Sequence, residues 1–500
     1  MKRIIVNCGY RETRVAVMEN KKLIDLFIET SETQRAVGNI YKAKVSDVLP
    51  GMQAAFVDIG LEKNAFLYVD DCLPAGAVDL KEKKPNIREL ITQGQEILVQ
   101  VTKEAVGTKG AKITTQISFP GRFLVYMPND SYIGISRKIE KEEDRQRLHL
   151  LLTSLCEGTE GIIARTVAQE ASEEEIREDF KFLKELWKKT KEKERMLKSP
   201  QVVHQDLELV SRIARDLLTE DVDEFIVDDG TRHEQVIEQL SYAIPNLEAK
   251  LKLYKGKMGV FDFYEVEGEI EKALRRKVWL KSGGYLVIDQ TEALTSIDVN
   301  TGKFTGSQGL EETVFKTNQE AVGEIIRQLR LRDIGGIILV DFIDMRKPQH
   351  RDQILQEMKD GVKKEKNKAH ILGFTQLGLL EMTRKRDRQT VDQVLTRPCP
   401  YCEGRGKILS EDAIVGKIER EIKEYAQGSD IEAVLLEVHP HIAEMLKSRH
   451  KAHLDYLKDS WGINVLIRSN ENVHQQEYHI LHLGSLEEVR ARSLGKKMTT

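Results

Sequence analysis

No stretch of this sequence approaches the roughly 18 consecutive apolar residues that a membrane-spanning helix needs, so no membrane span is expected. The opening MKRIIVN holds too short an apolar run for a signal peptide. Cysteine is scarce: Cys8, Cys72, Cys156, Cys399 and Cys402, of which only the last two lie close together. That excludes a disulfide framework and points to a reducing, cytoplasmic setting. Charge of one sign is missing too, since 77 Lys and Arg against 81 Asp and Glu leave a net charge of −4. What is present is an ordinary soluble composition, 40% hydrophobic and 32% charged, over 500 residues. One core stops growing near roughly 250–300 residues, so several domains are expected in an α/β chain.

The most informative stretch is residues 294–345. Residues 294–299 form a short apolar, β-branched run that leads into Asp298-Val299-Asn300, with Thr301-Gly302 as a turn. Residues two apart on a strand share a face, so Asp298 and Asn300 point the same way. Over residues 310–332, Val314, Ala321, Ile325 and Leu329 fall near helical spacing. Glu311 and Glu312 suit the first turn of that helix, and Gly335-Gly336 its stop. Residues 337–340 then read as a fully apolar strand that runs into Asp341. Such a strand–helix–strand unit places both strand ends on one edge of a parallel pair, where α/β sheets bind ligands. Two carboxylates with few other protein ligands describe a magnesium site that keeps waters and admits a phosphate. Bound there, the ion would polarise a phosphodiester and activate a water. One strand-end acid is better read as a cap; Asp298, Asn300 and Asp341 together read as a site.

The run TSIDVNTG followed by ETVFKTNQEAVGEIIRQLRLRDIGGIILVDFIDM resembles the catalytic core of the bacterial ribonuclease E/G family. The resemblance implies that Asp298 and Asp341 hold the catalytic magnesium, that Asn300 assists, and that Asp344 is an outer partner. It spans essentially the whole chain and implies a layout. Residues 1–36 and 211–273 would form an RNase H-like subdomain in two parts, structural rather than catalytic. Residues 37–118 would form an OB-type RNA-binding barrel, 119–210 a 5′-sensor and 274–395 a DNase I-like catalytic subdomain. Residues 396–409 would be a zinc link and 410–500 a small oligomerisation domain.

The residues support parts of this independently. Strands over 3–30 are marginal unless something packs on them, and partners are expected around 224–227 and 251–254. Five short strands between 38 and 118 suggest the barrel, a common oligonucleotide platform. Phe56 and Phe66 there can stack bases or fill the core, and Lys42, Lys44, Lys103 and Lys109 can track phosphates. The resemblance favours RNA contact by Phe56, Phe66 and Lys109. A charged helix over 173–198 reads as a solvated bracket, and 268–280 as basic and helical. Arg165-Thr166 follows an apolar run, and an arginine fork suits a phosphate. The resemblance makes Arg165 and Thr166 contacts for an RNA 5′-monophosphate, with Gly121 and Val125 lining the pocket. Lys368 stands where the family's best-known member has a further arginine, which would tune this sensing differently. Basic strips at 275–277, 327–332 and 384–388 suit an enzyme that grips RNA briefly, and equally a solvated surface.

Cys399 and Cys402, followed by Gly404 and Gly406, look like one knuckle of a zinc ribbon. No second C-x-x-C exists, so the other two ligands would come from histidines or, more simply, from a second copy in a two-fold dimer. The resemblance implies such a shared zinc, in a homodimer or a homotetramer. Beyond residue 410 a small α/β domain is expected, with His439 and His441 as caps or surface groups. The chain ends without the long disordered scaffold of E-type members, which fits the short form of the family. The expected activity is magnesium-dependent endonucleolytic hydrolysis of single-stranded RNA in the cytoplasm, favouring 5′-monophosphorylated ends. Ribosomal RNA precursors and messenger RNA are the implied substrates. A non-catalytic RNA-binding or ribosome-assembly factor is the alternative, as is a metal-dependent DNase.

Overall fold

Apolar residues at alternate positions, interrupted by turns, build five sheets among the described residues of this computed structural model. The structure describes residues 1–30, 36–73, 85–105, 110–156, 158–241, 249–302, 310–363, 365, 367–386, 388–428 and 431–494. The chain divides into two units, Met1–Val394 and Leu395–Thr500.

In the first unit the N-terminal strands Lys2–Cys8, Glu12–Glu19 and Lys22–Thr30 do find distant partners. Lys2–Cys8 pairs in parallel with Glu224–Val227, which pairs in turn with Leu251–Leu253. The run Ile4-Ile5-Val6 is buried on both faces. Ile4 and Val6 pack towards Ile213 and Phe225, whereas Ile5 packs with Phe261, Ile270 and Leu331. Two-sided cover explains an unbroken apolar strand.

Between these strands lies a closed five-stranded barrel: Ile40–Leu49, Ala54–Asp58, Ala65–Tyr68, Lys112–Thr114 and Glu96–Lys103. Pairing of the first with the last closes it, and Gln201–His204 adds to its outside through Ile40–Leu49. Gly110 lets the chain re-enter the barrel, because any Cβ there would sit 2.0 Å from the Asn64 carbonyl oxygen.

A four-stranded sheet follows, with Leu124–Met127 and Gly161–Ala164 at its centre. The helix Glu173–Met196 corrects the bracket reading. Its first half buries Ile176, Asp179, Phe180 and Leu183 against this sheet.

The last sheet of the unit has six strands, in the order Lys277–Trp279, Tyr285–Gln290, Leu294–Asn300, Gly336–Asp341, Leu380–Arg384 and Ala369–Phe374. Leu294–Asn300 and Gly336–Asp341 are parallel and joined by the helix Leu310–Leu331, as expected. They are buried on one face only. Ile338 and Val340 pack under the helices Leu310–Leu331 and Pro348–Lys363, whereas Ile337 is exposed. The helix expected over 268–280 stops at Leu274, where Arg275 turns extended, and Lys277–Trp279 is an edge strand.

The second unit centres on Ala433–Val438, parallel to Asn464–Ser469 and antiparallel to Tyr478–Gly484. The helices Pro440–Lys447 and Lys451–Trp461 follow its first strand, and the His439 ring caps the first of them. Among the described residues, no helix is long and apolar enough to cross a membrane.

Candidate functional site

Parallel pairing sets the centre of the site. Leu294–Asn300 and Gly336–Asp341 align so that Asp298 stands directly beside Asp341. Neighbouring strands lie roughly 4.8 Å apart, so two carboxylates share one sheet face at close range. Both project from the exposed face, since Val299 and Val340 are buried beneath them. Asn300, two residues on, donates from Nδ2 to Asp298 Oδ2 at 2.7 Å and fixes that carboxylate's orientation. Asp341 is pushed above the ordinary carboxylate range, first by burial and then by the charges of Asp298 and Asp344. Negative charge is thus concentrated here, which suits a divalent cation. Asp298, Asn300, Thr301, Asp341, Phe342, Ile343 and Asp344 line a cleft of about 310 Å³. Among the described residues, no group of three or more His, Cys, Asp or Glu is arranged to hold a metal. A pair of carboxylates that leaves the other positions to water matches the coordination magnesium favours, whereas zinc is usually held by three or four protein ligands.

Sequence reasoning missed what holds the loop after Asp341. Asn318, fully buried on the connecting helix, accepts from the Ile343 amide at 3.1 Å and donates to the Ile343 carbonyl at 2.8 Å. Glu311 accepts from the Lys347 amide, and Phe315 stacks on His350 with ring centres 4.2 Å apart. A helical asparagine facing its own strand–helix–strand unit was the available signal.

On the barrel, Phe56 and Phe66 are half-buried cross-strand neighbours with ring centres 6.0 Å apart. The same register runs on from Phe66 to Lys112 and from Lys112 to Lys103. Two aromatics and two lysines therefore form one row across four strands. Lys112, which the sequence reading omitted, belongs to it and pairs with Asp71 at 2.7 Å. Lys42 is held by Glu96 and by the carbonyls of Glu194 and Leu197. Lys109 lies outside the described residues.

Arg165, Thr166, Gly121 and Val125 are brought together by the four-stranded sheet. Arg165 donates to the Gly121 carbonyl and, at 2.8 Å, to Asp216, while the Thr166 and Ser136 hydroxyls lie 2.9 Å apart. Val125 faces Ile163, two residues before Arg165. Gly121 is required by crowding: a Cβ would meet the Asp179 carboxylate at 2.6 Å. That carboxylate accepts from the amides of Arg122, Phe123 and Leu124. Lys138 donates to the Glu365 carbonyl at 3.1 Å, which ties this sheet to the segment bearing the exposed Lys368.

Two of the basic strips are partly tied up inside the protein, although Lys385 and Arg386 of the second are exposed. Arg327 pairs with Glu324 and Glu269, Arg330 with Asp25, and Arg384 is buried against Glu365 and Asp333. Arginines beside a strand carbonyl or a buried acid satisfy the interior rather than solvent or ligand.

In the second unit Cys399 is exposed and its thiol is pulled down by the backbone N–H groups of Cys402 and Tyr401. The Gly406 amide donates to Cys402 Sγ at 3.3 Å. Such N–H contacts favour thiolates, the form a metal binds. Tyr401 packs against His474 with ring centres 4.0 Å apart and planes at 35°, and seats the knuckle on its own domain.

A sequence model of the Ribonuclease E/G family matches residues 118–387, and one of the RNase E/G, Thioredoxin-like domain matches residues 398–483. Ribonuclease G of Salmonella typhimurium and of Escherichia coli are each 41% identical over 483 residues, which is 96% of this chain and 99% of theirs. Ribonuclease E of Escherichia coli is 36% identical over 498 residues, 98% of this chain and 47% of its own.

Proposed function

Because the chain belongs to the ribonuclease E/G family, we propose that it is an endoribonuclease hydrolysing single-stranded RNA at Asp298 and Asp341. The observation that carries the site is the register of those two carboxylates on adjacent parallel strands, at the mouth of one cleft. They would hold a magnesium ion, which when bound polarises the phosphodiester and lowers the pKa of a coordinated water. Asn300 orients the Asp298 carboxylate, and Asn318 keeps Asp341 and Asp344 in place by clamping the intervening loop. Phe56, Phe66, Lys103 and Lys112 would carry the approaching strand by stacking and charge. Arg165 and Thr166, beside Gly121 and Val125, would receive a 5′-monophosphate, with Asp216 holding the guanidinium fork in position. Cys399 and Cys402 would share a zinc ion with a second copy of the chain, giving a dimer and, by further pairing, a tetramer. We assign the subdomain layout of the sequence analysis on the same basis, with cytoplasmic maturation of ribosomal RNA and decay of messenger RNA as roles.

The test uses a short single-stranded RNA with a 5′-monophosphate or a 5′-hydroxyl, incubated with wild type or Asp298→Asn, with and without magnesium. Loss of one metal carboxylate should slow internal cleavage at least about a hundredfold, roughly 2.7 kcal/mol of barrier. Cleavage should need magnesium and run faster on the monophosphate. RNA that is bound but never cut would leave a binding protein instead.

A further inference from the structure

We propose that Trp279 and Tyr285, with Lys277 between them, form a platform that stacks a base of the RNA strand next to the phosphate at Asp298 and Asp341. The proposal rests on the nuclease reading for the identity of its ligand. It comes from sheet register. On the edge strand Lys277–Trp279, Lys277 pairs with Val287 and Trp279 with Tyr285. On the following pair of strands, Val287 faces Asp298 and Tyr285 faces Asn300, and Asp298 faces Asp341. Residues opposite one another across a sheet share a face, as do residues two apart on a strand. Lys277, Trp279, Tyr285, Asp298, Asn300 and Asp341 therefore all project from one surface. The intervening Val278, Leu286 and Val299 are buried on the other.

That surface is open, and Trp279 is 60% exposed on it. Its ring centre lies 5.4 Å from that of Tyr285, with the planes at 63°. The Lys277 ammonium sits 3.5 Å from the Tyr285 ring centre and 4.1 Å from that of Trp279. A cation–π cluster orients both rings and adds positive charge beside an acidic centre that must receive a polyanion. Most of the indole nonetheless remains in solvent, which leaves its ring free to stack on a base. Trp279 stands two strands from Asn300, roughly 10 Å, which about three stacked nucleotides span at 3.4 Å each. A base stacked there would fix the register of the strand over the acids and bias which phosphodiester enters the cleft.

The test follows binding of a fluorescein-labelled single-stranded RNA by anisotropy in metal-free buffer. Full-length wild type, Trp279→Ala and Trp279→Phe are each measured on intact RNA and on RNAs lacking one base at a time along the strand. Trp279→Ala should weaken binding of intact RNA about tenfold, and Trp279→Phe should retain most of the affinity. At one position, removal of the base should weaken wild type to the same extent and Trp279→Ala no further. Unchanged binding by Trp279→Ala, or equal losses in both proteins at every position, would overturn the platform. So would a fall in mass of Trp279→Ala by light scattering, which would assign the patch to a second copy. Because binding is read without cleavage, a wild type that binds but never cuts defeats the nuclease reading alone. A wild type that cuts without base dependence at Trp279 defeats the platform alone.

Discussion

Asp216 shows how one side chain can set the behaviour of a pocket. Burial pushes its carboxyl up, but Arg215 and Arg165 together outweigh that and hold it below the ordinary range. Arg215 closes on it with two contacts at 3.0 Å, and Arg165 adds one at 2.8 Å. A carboxylate depressed in the folded state stabilises it at pH values above its unfolded pKa, about 3.9. That contribution is lost as pH falls through the folded value. Asp216→Asn should therefore cost about 1–3 kcal/mol at pH 7, because two arginines lose a charged partner. The gap from wild type should narrow in thermal melts as pH falls below the unfolded value of about 3.9, and a constant gap would remove the ionic account. Arg165 should also lose its fixed orientation, so the same variant should cut 5′-monophosphorylated RNA with less advantage over 5′-hydroxyl RNA.

At the scale of elements, the barrel presents its row of aromatics and lysines by register. Phe56, Phe66, Lys112 and Lys103 face one another across four strands, while Val57, Leu67, Val101 and Ile113 point inward. Phe66→Ala should weaken RNA binding by about 1–3 kcal/mol, the worth of one stacked base. Its melting temperature should stay within a few degrees of wild type, because Phe66 lies outside the barrel's buried cluster. A large loss of stability with unchanged RNA affinity would return Phe66 to the core. The six-stranded sheet uses the same device with its helices on one face, so its exposed face carries Asp298 and Asp341.

At the scale of the whole molecule, the arginine strips act as internal ties. Arg327 donates to the Leu23 carbonyl, Arg330 pairs with Asp25, and Arg388 lies 4.1 Å from the Phe27 ring centre. They hold the N-terminal sheet against the helix Leu310–Leu331, so part of the clustered basic charge in a chain of net charge −4 is engaged in internal pairs. The proposed assembly would rest on a different feature, the cysteine knuckle. Cys399→Ser should convert an oligomer to monomers in size-exclusion light scattering, and chelation of zinc should do the same to wild type. Unchanged mass in both would end the shared-zinc proposal.

The sequence by itself determined the strand–helix–strand unit and its paired acids, because long apolar periodicity and strand-end residues are local signals. It also showed the barrel's rhythm and the isolated C-x-x-C. Only tertiary structure decided what depends on register and cover. Three residues, Lys277–Trp279, are too few to reveal a strand by alternation, so an edge strand read as helix. The helix Glu173–Met196 looked solvated because its buried face includes Asp179, an acid satisfied by three amides from a distant turn. The arginine strips looked free because their partners lie as far as about 300 residues away in sequence. Local pattern records which face a residue occupies, and folding decides what that face meets.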